Sequence, residues 1–157
     1  MKQGNTRSTQ LSAETVGRTL ANFMQTRSEI ILGYLFGSLV NRKKGPVHDI
    51  DIALLISADR LKALDQAEPY GLRARLIVGI AGILGTDKID LVLLNQASPV
   101  LLRQVVGKGR LIYCISEQER IRFETSALKR YADTAQLRNI KRFYRRKRIG
   151  KGVSGYA

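Results

Sequence analysis

Apolar residues along the chain follow two alternating patterns, which together predict a domain built from helices and strands. Val16, Leu20 and Phe23 have the i, i+4, i+7 spacing of an amphipathic helix within residues 12–27. Four further apolar runs have the length of strands, and they occupy residues 29–36, 49–56, 88–95 and 110–115. A turn-rich loop at residues 41–47 separates the first two runs, and helical segments separate the later ones. The sequence therefore predicts an α/β fold with a mixed β-sheet and flanking helices.

Proline and capping residues predict where the later helices begin and end. Residues 58–84 read as a helical region that we expect to be broken near Pro69, because the proline ring clashes with the preceding turn. The pair Ser98-Pro99 predicts an N-cap followed by the first position of a helix, which glycines 107 and 109 would end.

The last helix is predicted from a capping box. Ser116 and Glu119 have the spacing in which a serine side chain and a glutamate side chain satisfy the free N–H groups of a helix start. The pattern after them predicts a single helix that runs to about Tyr144. We therefore expect a flexible lead at residues 1–11, one domain at residues 12–145 and a basic flexible tail at residues 146–157.

Positive charge is concentrated at the C-terminal end of the 157 residues. The chain has a net charge of +14. From Arg120 onward it contains twelve lysines and arginines but only two acidic residues, which gives this part a net charge of +10. The segment Lys141–Arg148 could neutralise the phosphates of RNA or operator DNA, and its two aromatic residues could stack on bases. A solvated helix end, or a surface that meets an acidic partner, explains the same charge.

The remaining composition favours a cytoplasmic protein that does not enter a membrane. The polar N-terminus lacks the apolar core of a signal peptide, and no apolar stretch is long enough to span a bilayer. The single cysteine, Cys114, excludes a disulfide framework and suits a reducing compartment.

The candidate chemistry lies in a Gly37-Ser38 turn that is followed, after ten residues, by Asp49-Ile50-Asp51. In a strand, alternate side chains share a face, so Asp49 and Asp51 would project together while Ile50 is buried. Two adjacent carboxylates raise each other's pKa unless a cation lies between them, and such hard oxygen ligands suit Mg²⁺. The glycine permits close backbone approach, and the serine hydroxyl and free N–H groups can hold phosphate oxygens. Ser38 could instead be only a helix N-cap.

This arrangement resembles the polymerase-β-like nucleotidyltransferases. Segments 33–38 and 48–54 are most similar to the small, free-standing minimal nucleotidyltransferases (MNT proteins), and the similarity extends over residues 12–145. Members of the family carry a third carboxylate on a later strand, for which Asp90 is the candidate and Asp87 a rival. The resemblance implies the polymerase-β-like fold with a basic C-terminal helix. It also implies a reaction in which a hydroxyl attacks the α-phosphate of a nucleoside triphosphate and expels pyrophosphate.

The resemblance also assigns roles to the acidic residues. It implies that Asp49 and Asp51 bridge two Mg²⁺ ions. Asp90 would bind the metal nearest the attacking hydroxyl and accept its proton.

A second set of roles concerns the triphosphate of ATP, the implied substrate. Gly37 and Ser38 would cradle the β- and γ-phosphates, and Arg42 or Lys43 on the following loop could offset phosphate charge, although a solvated loop explains those two cations equally well. His48 precedes Asp49 in the sequence, and the simpler interpretation of this histidine is a loop residue without a role in the site.

The implied biological role is that of an antitoxin. MNT proteins act with small helical HEPN proteins, and the resemblance implies that this chain neutralises a HEPN ribonuclease toxin by attaching AMP to one of its tyrosines. Two alternatives stay open: a protein that acts by contact alone, as a non-catalytic antitoxin or nucleic-acid-binding protein, and a transferase that modifies a small molecule such as an aminoglycoside. A polycationic substrate of the latter kind would favour an acidic cleft, and the chain is strongly basic.

Overall fold

Four strands form one mixed sheet at the centre of the protein. The computed structural model describes residues 12–41 and 49–151. The strands are β1 (Ile30–Phe36), β2 (Ile50–Ile56), β3 (Ile89–Leu93) and β4 (Arg110–Cys114). They lie side by side in the order β3-β2-β1-β4. The central strand β1 is antiparallel to both β2 and β4, whereas β2 and β3 are parallel. The mixed sheet predicted from the sequence is confirmed.

Six further segments within the described ranges are helical in addition to the N-terminal helix. The helices are α1 (Ala13–Gln25), α2 (Ser38–Asn41), α3 (Ala58–Ala67), α4 (Gly71–Leu84), α5 (Pro99–Lys108), α6 (Glu117–Asp133) and α7 (Ala135–Lys151), with a short 3-10 turn at Leu94–Gln96. The gap between α3 and α4 contains Pro69, so the predicted break is confirmed. Among the helices described here, none is long and apolar enough to cross a membrane.

Serine side chains begin three of these helices, and the sequence predicted two of these caps, at Ser98 and Ser116. The hydroxyls of Ser12, Ser98 and Ser116 accept hydrogen bonds from the backbone N–H groups three residues ahead, at 3.1, 3.3 and 3.2 Å. Each bond satisfies a donor that the first turn of a helix leaves free. The caps therefore fix the residues at which α1, α5 and α6 begin.

The two faces of the sheet are covered unequally. On one face, Ile50, Ile52 and Leu54 of β2 pack with Leu20 of α1 and Leu76 of α4 in the larger apolar core. On the other face, α5 and α6 cover a smaller core that includes Leu32, Tyr34 and Ala53. There the hydroxyl of buried Tyr34 donates a 2.9 Å hydrogen bond to Glu124 and so attaches α6 to β1.

The C-terminal region differs from its predicted form. A single helix to about Tyr144 was expected, but the structure has two helices, α6 and α7, that meet at Thr134. The Thr134 hydroxyl donates to the carbonyls of Arg130 and Tyr131, both at 3.1 Å, and a side chain bonded in this way competes with the regular helix. The guanidinium of Arg138 lies 3.6 Å from the centre of the Tyr131 ring and covers the junction.

Helix α7 also continues past residue 145, where the domain was expected to end, and reaches Lys151. The predicted lead at residues 1–11 and the end of the predicted tail, residues 152–157, lie outside the described residues.

Candidate active site

Two of the predicted aspartates lie side by side at one end of the sheet. Asp51 on β2 pairs in register with Asp90 on β3, and on its other side Asp51 is opposite Phe36 of β1. The alternation along β2 is as predicted: Ile50 and Ile52 are buried in the larger core, and Asp51 is only half-buried. Because α1 and α4 cover the isoleucine face, the carboxylates project on the opposite face of the sheet.

Burial and two neighbouring carboxylates determine the environment of Asp51. Burial raises the pKa of Asp51, and the negative charges of Asp90 and Asp49 raise it further, while a hydrogen bond from the backbone N–H of Ser38 lowers it. Repulsion from both neighbours shows that the three carboxylates are close enough to interact. A cation bound among them would remove this repulsion.

The turn after β1 fits tightly against Asp51 because it contains a glycine. Gly37 has a φ of 72°, and a Cβ added to it would lie 2.6 Å from Asp51 Cγ and overlap the carboxylate oxygen Oδ2. The carbonyl of Gly37 accepts hydrogen bonds from both the backbone and the side-chain nitrogen of Asn41, at 3.1 and 3.0 Å. Glycine therefore serves two purposes here, the left-handed backbone and the close approach to the acidic pair.

The rival aspartate stands apart from this pair. Asp87 is exposed in the turn before β3, where its backbone carbonyl accepts a 2.9 Å bond from the N–H of Ile89. The register places Asp90, and not Asp87, next to Asp51. Three other candidates from the sequence, Arg42, Lys43 and His48, lie outside the described residues.

Sequence reasoning missed Arg73, which reaches the site from α4. Its Nε donates a 2.7 Å hydrogen bond to the carbonyl of Leu91, and its Nη2 lies 3.5 Å from Asp90 Oδ1. The first contact fixes the guanidinium against the outer edge of β3, and the second places its charge beside the Asp90 carboxylate. Nothing in the sequence connects position 73 to position 90, because the contact depends on how α4 packs against β3.

The donor set fits a metal that is held jointly by the protein and a phosphate. Within residues 12–41 and 49–151, no three acidic, histidine or cysteine side chains are gathered closely enough to enclose a metal ion by themselves. Mg²⁺ is ordinarily bound by one or two carboxylates together with substrate phosphates and water. The adjacent Asp51 and Asp90 satisfy that requirement, with Asp49 exposed at the start of β2 nearby.

An open cleft follows the exposed edge of β3. It has a volume of about 410 Å³, and its walls include Arg73, Leu91, Val92, Ser98 and Leu101. Within residues 12–41 and 49–151, β3 is the last strand on this side of the sheet, and no further strand of these segments covers its edge. The cleft leaves room for a second substrate next to the strand that carries Asp90.

Several solved structures with a similar fold are toxin–antitoxin structures. A toxin–antitoxin structure with AMP-PNP has a TM-score of 0.65 and 28% sequence identity, and the match covers 82% of this chain and 97% of that one. The MntA–HepT toxin–antitoxin has a TM-score of 0.61 and 27% identity, with 83% and 97% covered. A tri-AMPylated HEPN toxin in complex with MNT antitoxin from Shewanella oneidensis has a TM-score of 0.59 and 25% identity, again with 83% and 97% covered.

Family membership rests on the sequence as well as on the fold. No curated protein sequence matches the chain. The family described as "Polymerase beta, Nucleotidyltransferase" matches residues 18–118, a span that contains Gly37, Ser38 and all three candidate aspartates. The predicted resemblance is confirmed, and the chain belongs to the polymerase-β nucleotidyltransferase family.

Proposed function

We propose that this nucleotidyltransferase is a Mg²⁺-dependent antitoxin that transfers AMP from ATP to a tyrosine of a HEPN-type toxin. The observation that carries the proposal is the adjacent pair Asp51 and Asp90 beside the tight turn at Gly37. Support comes from the similar structures, since one is a toxin–antitoxin with AMP-PNP and another contains a tri-AMPylated HEPN toxin. The proposed product is a phosphodiester of AMP on the tyrosine oxygen.

The proposed phosphate site is the turn after β1. Gly37 leaves space for the β- and γ-phosphates next to the carboxylates. The backbone N–H of Ser38 bonds Asp51, and its side-chain hydroxyl can donate to a phosphate oxygen. We assign Arg42 and Lys43, which follow this turn in the sequence, to the compensation of triphosphate charge. Their cationic side chains suit an anionic substrate.

The proposed metal ligands are Asp49, Asp51 and Asp90. Two Mg²⁺ ions held there would supply charge stabilisation at the α-phosphate and lower the pKa of the attacking hydroxyl. The carboxylates bring the negative charge that makes the site selective for such cations.

The acceptor is proposed to enter along the cleft at the edge of β3. The tyrosine oxygen forms a bond to the α-phosphorus, the bond from that phosphorus to the bridging oxygen of the β-phosphate breaks, and pyrophosphate leaves. Asp90 accepts the phenolic proton, because it is the carboxylate on the strand that borders the cleft. Its neighbour Arg73 holds it in place.

The direct test is transfer of label to the partner protein. The purified chain is incubated with α-labelled ATP, Mg²⁺ and a HEPN-type toxin, and we expect the label to appear on the toxin at a tyrosine. A variant with Asp49→Ala and Asp51→Ala should transfer none. Tight binding of the partner without transfer of any nucleotide would contradict the proposal and indicate an antitoxin that acts by contact alone.

Arg73→Gln is expected to lower the rate of transfer about tenfold, the usual loss when a residue that orients a metal ligand is removed. The free energy of unfolding should change by less than about 1 kcal/mol, because the ion pair with Asp90 is more than half exposed. The measurement is kcat and KM for ATP together with a thermal melt.

Arg75→Gln provides the matched control for Arg73. Arg75 lies on the same helix but pairs with Glu29 and Glu68, at 3.1 and 3.2 Å, away from the carboxylates. Full activity in the Arg75 variant and a loss confined to kcat in the Arg73 variant would support a positioning role. Equal losses in both would contradict it.

The proposed reaction uses no residue of α7. A contact of the segment Lys141–Arg148 with RNA or operator DNA, which the sequence leaves open beside a solvated helix end or a surface for an acidic partner, stays a separate proposal.

A further inference from the structure

Helix α7 presents a concentration of positive charge that the nucleotidyltransferase domain does not use. It lies beyond residue 118, where the family match ends. All side chains from 141 to 147 are exposed. Five of them are cationic and none is acidic: Lys141, Arg142, Arg145, Arg146 and Lys147. Within the described part of the chain, no ion pair involves any of these five.

The spacing of these charges disfavours the helix when it is free. Lys141 and Arg145 are four residues apart, as are Arg142 and Arg146, so like charges face each other along two adjacent rows of the helix surface. Side chains four residues apart rise by about 6 Å along the axis. A chain of phosphates that lies along both rows would relieve the repulsion at several points at once, whereas a single carboxylate could not.

Two aromatic rings stand next to the basic rows. Phe143 and Tyr144 are 62% and 63% exposed, and their ring centres lie 5.7 Å apart with the planes nearly perpendicular. Exposed aromatic rings beside a cationic track are the arrangement on which unpaired bases stack. Bases that are paired within a duplex keep their faces covered and gain nothing from these rings.

The apolar residues of α7 do not form a surface suited to a purely apolar partner. Leu137, Ile140 and Tyr144 form one exposed stripe of α7, but Lys147 continues the same stripe. The Nζ of Lys147 is 5.9 Å from the centre of the Phe143 ring. A protein groove or a lipid acyl region that covered this stripe would also bury the ammonium group, which is costly. A ligand that carries both phosphates and bases accepts the ammonium and the rings together.

We propose that α7 binds single-stranded nucleic acid, with the phosphates on the two basic rows and unpaired bases on Phe143 and Tyr144. The proposal does not depend on nucleotidyl transfer, because no residue of α7 belongs to the site around Asp51.

The test compares two variants of equal net charge. In the α7 variant, glutamine replaces Lys141, Arg142, Arg145 and Arg146. In the control variant, glutamine replaces four exposed cations on other elements, Lys62, Arg103, Lys108 and Arg110. Binding of the full chain to a labelled single-stranded oligoribonucleotide of about 16 nucleotides is followed by fluorescence anisotropy over a series of NaCl concentrations.

For the α7 variant, we expect the slope of log K against log salt to become shallower by about three, since each phosphate contact on a single strand contributes about 0.7. The slope of the control variant should change by less than one. A third variant, Phe143→Leu with Tyr144→Leu, should bind at least about tenfold more weakly with an unchanged salt slope, because it loses stacking and keeps the charges. Thermal melts establish that each variant is folded.

Three results would overturn the proposal. The first is duplex DNA binding as tightly as the single strand, with no effect of the aromatic variant, which would indicate a duplex site. The second is preferential binding to vesicles rich in phosphatidylglycerol, which would indicate a membrane surface. The third is an α7 variant that binds the oligonucleotide normally but no longer binds the HEPN partner, which would indicate a protein-docking helix.

Discussion

Asp51→Asn is expected to lower nucleotidyl transfer about a thousandfold or more, because it removes one of the adjacent carboxylates at the centre of the site. Asparagine has nearly the same shape as aspartate and can still accept the hydrogen bond from the Ser38 N–H. The expected loss therefore reflects charge and metal binding and not a change in packing. Transfer of α-labelled nucleotide to the partner, at saturating Mg²⁺, measures it.

The same substitution is expected to make the metal-free protein more stable. Burial and the charges of Asp90 and Asp49 raise the pKa of Asp51, so the ionised carboxylate disfavours the folded state. A raised pKa means that the folded protein holds this proton more tightly than the unfolded chain does. The contribution of the Asp51 proton to the free energy of unfolding is fully present below the ordinary carboxyl pKa. It is lost as the pH rises through the raised pKa of the folded state. The Asp51→Asn variant has no carboxyl group at this position and so does not undergo this loss.

Thermal melts from about pH 4 to pH 8 distinguish the two proteins. Wild type should lose stability over this range relative to Asp51→Asn, and added Mg²⁺ should stabilise wild type but not the variant. Asp87→Asn is the control, since Asp87 is exposed and is not in register with Asp51. A variant at Asp51 that keeps activity, or an Asp87 variant that loses it, would show that the acidic pair has been assigned wrongly.

The part of the site that could be predicted from the sequence is the part that depends on local order. Strand periodicity is two, so the position of Asp51 on the face opposite the buried Ile50 and Ile52 follows from their spacing alone. The close backbone approach at the Gly37 turn similarly follows from the missing side chain of glycine. Pairing Asp51 with Asp90 needed the family resemblance in addition, because the 38 residues between them allow many registers.

The features that could not be predicted depend on contacts between distant elements or on competition within one turn. Arg73 meets Asp90 only because α4 packs alongside β3, and no sequence spacing encodes that contact. The break at Thr134 has a different cause, since a threonine inside a helical pattern usually leaves the helix intact. Here its hydroxyl bonds two carbonyls while Arg138 covers the junction, and the combination separates α6 from α7.

Gly37→Ala is expected to reduce transfer about a hundredfold, although alanine adds only a methyl group. The added carbon would overlap Asp51 Oδ2 and lie 2.6 Å from its Cγ, so either the carboxylate or the turn must move. A displacement of about 1 Å at a reacting centre can cost a factor of this size. The backbone also has a φ of 72°, which destabilises a residue with a side chain by about 1–2 kcal/mol.

Gly85→Ala separates these two effects. Gly85 ends α4 with a φ of 65°, so alanine meets the same backbone strain there, but nothing lies within 4 Å of the added carbon. Both variants should lose about 1–2 kcal/mol in the free energy of unfolding, measured by denaturant titration. Only Gly37→Ala should also lose transfer activity at temperatures where both proteins are folded. If the two variants lost activity equally, strain alone would explain the effect, and close contact between the turn and Asp51 would have no part in catalysis.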